Sequence, residues 1–290
     1  MDYTLHHKAG NTLGEGPLWD PQAESLVWVD IPENRVFRLQ QGSDRPDVVA
    51  LPEPPGSIAL LGEGRYLVAA GRSLYRAGFD QGTCDKVMPV KGMDPASALN
   101  DGKADRQGRF VFGSKHVEEN EPRGALFSFD GSSLQELHAP FVVFNGPAFN
   151  RAGDRIYFAD SPTGRIFCAR YDLDNGRMET PEIFAQVPEK DGYPDGMTVD
   201  AEDFLWNAHW DGFRLTRYRP DGAVDKVVEL PLQRPTSICF AGPELTTMIV
   251  SSAAVEGQAD GGGDIANGDL LRLQADVPGL PETVVQAADL

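Results

Sequence analysis

Cysteine is scarce in this 290-residue chain. The three thiols, Cys84, Cys168 and Cys239, are odd in number and carry no C-x-x-C spacing, which excludes a disulfide framework and a cysteine zinc site. Cys168 and Cys239 fall in strand patterns and read as small buried hydrophobes. Long apolar runs are missing too: none approaches the roughly 20 residues of a spanning helix, and the start MDYTLHHKAG has no apolar stretch of leader length. The expected location is the cytoplasm. Positive charge is short, with 26 Lys and Arg against 44 Asp and Glu and a net charge of -18. Nucleic acid and anionic membrane surfaces are thereby disfavoured as partners, whereas cations and neutral small molecules suit the field. No convincing stretch of helical periodicity is present.

What is there instead is a pattern repeated six times: a turn with glycine, an apolar run, a second turn, another apolar run, then a short third strand. Second strands read as Leu26 to Asp30, Tyr66 to Ala70, Arg109 to Gly113, Arg155 to Asp160, Phe204 to Asn207 and Thr247 to Val250, rich in Val, Ile and aromatics. Third strands align on Val36, Leu74, Leu126, Ile166, Leu215 and Leu270, at spacings of 38 to 55 residues. Such spacing fits four-stranded propeller blades, and six of them use residues 1–290 as one domain. The expected fold is all-β, a six-bladed β-propeller around a central metal-containing channel. The stretch Tyr3 to Leu13, with His6 and His7, is expected to supply a strand that closes the ring against the last blade. Trp28 and Trp206 are assigned to the core and Trp210 is left open. The glycine-rich stretch from Ala259 to Gly268 reads as a long connection, since it lacks the strand-to-helix context of a phosphate loop.

A propeller places the first strand of each blade beside the channel, so equivalent positions from distant repeats converge. The aligned first strands read Glu15-Gly16-Pro17, Pro55-Gly56-Ser57, Asp101-Gly102-Lys103, Asn145-Gly146-Pro147, Asp195-Gly196-Met197 and Thr236-Ser237-Ile238. Glu15, Asp101, Asn145 and Asp195 lead, with Asn100 one residue earlier. Carboxylates and amide oxygens aimed into one channel repel or stay unsatisfied unless a cation lies between them. Asp-Gly and Asn-Gly pairs are common hairpin turns, but four in register across blades point to a site.

LGEGPLWD, LNDGKADRQGRFVFGS, FNGPAFN and YPDGMTVDAEDFLW, together with the late Pro278-Gly279-Leu280-Pro281, resemble the gluconolactonase, regucalcin and luciferin-regenerating-enzyme family, above all its bacterial sugar lactonases. The resemblance implies a six-bladed propeller with one catalytic divalent metal at the channel mouth. It places the metal ligands on Glu15, Asn145 and Asp195, and a residue that meets substrate or a metal-bound water on Asn100. One departure matters: many family members carry an arginine two residues before that asparagine, and here Ala98 takes the place. Losing a guanidinium removes up to five hydrogen-bond donors and leaves the identity of the lactone open.

The expected activity is hydrolysis of an aldonolactone to its acid, with Asp195 as the leading base for water and Asp101 as its competitor. An all-oxygen shell suits Ca²⁺ first, with Mg²⁺ and Mn²⁺ as alternatives and Zn²⁺ as a further ion that the family accepts. His116 and His209 follow second strands and are read as loop residues within reach of substrate, with a solvated or locally hydrogen-bonded role weighed above it. The run Glu118, Glu119, Asn120, Glu121 reads as a solvated charged loop, with a lid as the alternative. Two other activities stay open: a non-catalytic calcium-binding regulator, and a metal-dependent esterase or organophosphate hydrolase. The protein is expected to be a monomer or a weak homo-oligomer.

Overall fold

β-Branched and aromatic residues in alternation form strands because their branched or flat side chains pack against neighbours on a pleated surface. In the computed structural model, which describes residues 1–256 and 264–287, they build six antiparallel sheets. Residues 259–263 of the glycine-rich stretch lie outside the described residues. Five of the sheets run from an inner strand outward in chain order. The inner strands are Gly14–Asp20, Pro55–Gly62, Ser97–Ala104, Phe144–Phe149, Tyr193–Val199 and Pro235–Ala241. All six second strands cover or overlap the ranges expected from the sequence, and the six aligned third-strand residues are all completely buried. The fourth blade adds a two-residue ribbon, Arg177–Met178, while Glu182–Gln186 takes its outer position. No α-helix occurs among the described residues.

The sixth sheet takes its outer strand from the other end of the chain. Tyr3–His7 pairs antiparallel with Leu270–Gln274, so the first residues complete the last blade, as expected. The ring is therefore held by main-chain hydrogen bonds where it would otherwise open.

The core is divided as a propeller requires, into six apolar clusters, each lying between one blade and the next. The one that closes the circle joins Trp28 and Leu39 of the first blade to Cys239 and Ile249 of the sixth. Trp28 and Trp206 are both buried, as the sequence suggested.

The last described residues form a strap across one end of the channel. Ala201 donates its N–H to Pro278 O, Gly279 to Leu245 O, Val285 to Leu60 O and Gln286 to Gly108 O. These partners lie at or beside the turns joining first to second strands, so the strap covers the end away from the mouth. Within it, Glu282 Oε1 receives a hydrogen bond from Lys103 Nζ at 2.7 Å.

Candidate functional site

All six inner strands carry an irregularity at one level, where pairing with the second strand skips a residue. The skips fall between Glu15 and Leu18, Pro55 and Ser57, Leu99 and Gly102, Asn145 and Ala148, Pro194 and Met197, and Pro235 and Ile238. A bulge bends its strand and re-aims one side chain. Six bulges at one level turn one residue per blade toward the axis. The structure shifts the expected alignment at one blade: Leu99 matches Pro194 and Pro235 before the skip, and Gly102 matches Met197 and Ile238 after it. Asn100, and not Asp101, is therefore the counterpart of Asp195. Asp101 occupies the bulge itself, where other blades have a glycine or serine.

Glycine at the bulge answers two needs. At Gly146 the backbone has φ of +84°, a left-handed conformation that side chains disfavour. At Gly196 a Cβ would lie 2.2 Å from Ser237 Oγ and 2.9 Å from Ser237 Cα, so the neighbouring strand leaves it no room.

Glu15, Asn100, Asn145 and Asp195 come together on one cavity of about 370 Å³, although Glu15 and Asp195 belong to the first and fifth blades. All four are buried. Asn100 donates its two amide hydrogens to Phe144 O at 2.8 Å and Asn145 Oδ1 at 3.0 Å, which leaves its own Oδ1 for the cavity. Asn145 Nδ2 donates to Ser161 Oγ at 2.8 Å, and Ser161 donates onward to Pro194 O at 2.6 Å. The chain of bonds fixes both amides with an oxygen presented to the other donors.

Burial raises the Glu15 carboxyl well above the usual carboxylate range, with Asp195 and Asp101 adding to the effect. Burial and Asp101 do the same to Asp195. Among the described residues no Lys or Arg pairs with either group; Lys115, the cation on the cavity wall, is bonded to Glu119. Two buried carboxylates and two oriented amide oxygens without a counter-charge fit a hard divalent cation. No group of three or more His, Cys, Asp or Glu side chains placed to hold a metal occurs among the described residues, so this site would rely on two carboxylates and on amide oxygens.

Asp101 is placed differently. Its Oδ1 accepts from Gly102 N at 2.7 Å and its Oδ2 from Gly146 N at 3.0 Å, so it clamps the inner strands of the third and fourth blades. Its side chain faces a second, much smaller space inside the channel, about 20 Å³, with Gly16, Met197 and Glu282. Burial raises its carboxyl to about 6. As a base for substrate it is the weaker candidate, since both oxygens are already engaged.

The loop placement of the two histidines is corrected, while the local hydrogen bond weighed for them is present at His209. They are strand residues, in Phe110–His116 and Leu205–Trp210, and both are buried. Successive side chains on a strand point to opposite faces. Their neighbours Lys115 and Trp210 line the cavity, so His116 and His209 point away from it. His209 Nδ1 lies 2.9 Å from the Asp191 carbonyl oxygen, which can only accept, so Nδ1 carries the proton. Burial depresses its pKa to about 4. The acidic run of residues 118–121 is exposed, but Glu119 reaches the cavity rim.

Sequence reasoning missed Leu13, Ile31, Lys115, Val143, Ser161, Pro162 and Tyr193, all of which line the cavity. A signal existed: Leu13, Val143 and Tyr193 each stand two residues before a member of the buried cluster, on the same face of the strand.

Comparison with known proteins agrees with this architecture. The chain is 30% identical over 276 residues to a pentonolactonase of Haloferax volcanii, covering 93% of each chain. It is 33% identical over 245 residues to an L-arabinolactonase of Azospirillum brasilense, covering 82% of this chain and 81% of that one. Among solved structures, a calcium-binding protein, regucalcin, from Agrobacterium tumefaciens superposes with a TM-score of 0.88 at 25% identity, covering 95% and 94% of the two chains. Residues 13–254 match the family described as the SMP-30/Gluconolactonase/LRE-like region, and the chain belongs to that family.

Proposed function

We propose that this protein is a metal-dependent sugar lactonase that hydrolyses an aldonolactone to the aldonic acid. The observation that carries the reading is the convergence of Glu15, Asn100, Asn145 and Asp195, buried and without a cationic partner, on the floor of one cavity. Relatives that are lactonases by name support it.

Glu15, Asn145 and Asp195 would hold the ion, with Ca²⁺ favoured by the all-oxygen set and Mg²⁺, Mn²⁺ or Zn²⁺ as alternatives. When bound, the ion supplies a Lewis acid that polarises the lactone carbonyl and stabilises charge on its oxygen. The chain's own residues do the rest. Asn100, its amide hydrogens spent, orients substrate or water through Oδ1. Asp195, a carboxylate on the cavity floor, takes the proton of the water that adds to the carbonyl carbon. As the ring C–O bond breaks, that proton passes to the departing ring oxygen, which leaves as a hydroxyl. Lys115 and Glu119 stand at the rim, bonded to each other.

The test is turnover of a panel of pentono- and hexono-1,4- and 1,5-lactones with EDTA and with each ion restored. Hydrolysis that vanishes with EDTA and returns with a divalent cation is expected. Turnover indifferent to EDTA, or none on any lactone, overturns the reading. The second reading, a calcium-binding regulator without catalysis, draws on the regucalcin relative and would show as tight Ca²⁺ binding with no hydrolysis.

A further inference from the structure

Resting on the lactonase reading, we propose that the substrate carries a methyl or short alkyl group beyond its lactone ring, where common aldonolactones carry a hydroxymethyl or polyol tail. The wall of the cavity changes character within one step of the strands. Its floor is the polar cluster Glu15, Asn100, Asn145 and Asp195. Two residues nearer the mouth, in the alternation that shares a face, stand Leu13, Val143 and Tyr193, all lining the cavity. Their neighbours across the sheet continue the layer. Ile31 donates its N–H to Leu13 O, and Trp210 is the register partner of Tyr193. A lactone whose carbonyl faces the floor must project its far substituent into this largely apolar collar.

Apart from the Tyr193 hydroxyl and the Trp210 ring N–H, the polar groups at the collar's level are already engaged. Ser161 Oγ accepts from Asn145 and donates to Pro194 O. Arg234, at the matching place in the sixth blade, bonds Asp211 at 2.8 Å and lies over the Trp210 ring at 4.7 Å. Lys115, the register partner of Ala98, is paired with Glu119. A hydroxymethyl group seated here would give up water for a wall with few open partners, whereas a methyl group loses nothing.

An apolar wall discriminates against an added hydroxyl only moderately, on the order of 10- to 100-fold. The experiment compares kcat/KM, with a divalent cation supplied, for matched lactones that differ only in that substituent. The pairs are racemic γ-valerolactone against γ-hydroxymethyl-γ-butyrolactone, L-fucono- against L-galactono-1,4-lactone, and L-rhamnono- against L-mannono-1,4-lactone. The methyl member should win each pair that is turned over by about 10-fold or more, and Leu13→Asn, which puts an amide in the collar, should shrink that ratio. Lactones opened with no methyl preference, or a ratio untouched by Leu13→Asn, overturn the inference and leave the lactonase reading standing. Absence of turnover on every lactone removes the lactonase reading itself, and this inference with it.

Discussion

Asp195 and Glu15 carry the tension of the site, because each is a carboxylate held in a dry place beside another. Replacing either by its amide, Asp195→Asn or Glu15→Gln, keeps the shape and removes the charge. Activity should fall by at least about 100-fold, since charge at the reacting carbonyl is what such sites stabilise. In the metal-free protein the same changes relieve repulsion, so Glu15→Gln should melt no lower than wild type above neutral pH. Steady-state kinetics and a thermal melt in EDTA read the two effects separately. Near-wild-type turnover in either variant contradicts the assignment of the site, and a large drop in melting temperature would show that Glu15 is structural.

Among the elements, the strap deserves a test of its own because it is tied down by a charge pair. Lys103 and Glu282 meet at 2.7 Å with side chains only 15% and 10% exposed. Removing one partner of such a pair strands the other charge, at a cost of about 3 kcal/mol, whereas replacing both with apolar residues costs little. Lys103→Met alone should therefore destabilise the fold, and Lys103→Met with Glu282→Leu should recover most of the loss. Urea denaturation of the two singles and the double closes the cycle. Additive losses would mean that the pair is not coupled and that the strap is held by its main-chain bonds.

At the scale of the whole molecule, ion binding, proton binding and folding are linked. Glu15 and Asp195 have carboxyl pKa values raised on folding. Their contribution to metal-free stability is therefore complete below the unfolded pKa and is lost as pH rises through the folded values. A cation needs both groups deprotonated, so it restores what the rise in pH removes and its binding releases protons. At a fixed concentration of a divalent ion the gain in stability, about 2.7 kcal/mol where that concentration is one hundred times Kd, should therefore grow as pH rises from the ordinary carboxylate range, about 4, through the raised folded values. Thermal melts with and without the ion across that range measure it. An increment that stays flat with pH would dissociate the ion from these two carboxylates.

The sequence by itself determined the six repeats, the identity of their strands, the core placement of Trp28 and Trp206, and the closure of the ring by the N-terminal strand. Each of these follows from local signals: alternation of apolar residues, turn chemistry, and repeat spacing. The tertiary structure decided the rest. Whether Asn100 or Asp101 faces the cavity depends on a bulge, and a bulge is a mismatch between two strands that neither strand encodes alone. His116 and His209, expected on loops, are buried strand residues one step of register away from the cavity wall. The strap over the far end of the channel joins turns from residues 60, 108, 201 and 245, which only the closed ring brings together. Local chemistry fixes what each segment becomes, but which way a side chain points and what lies opposite it are set by pairing across the fold.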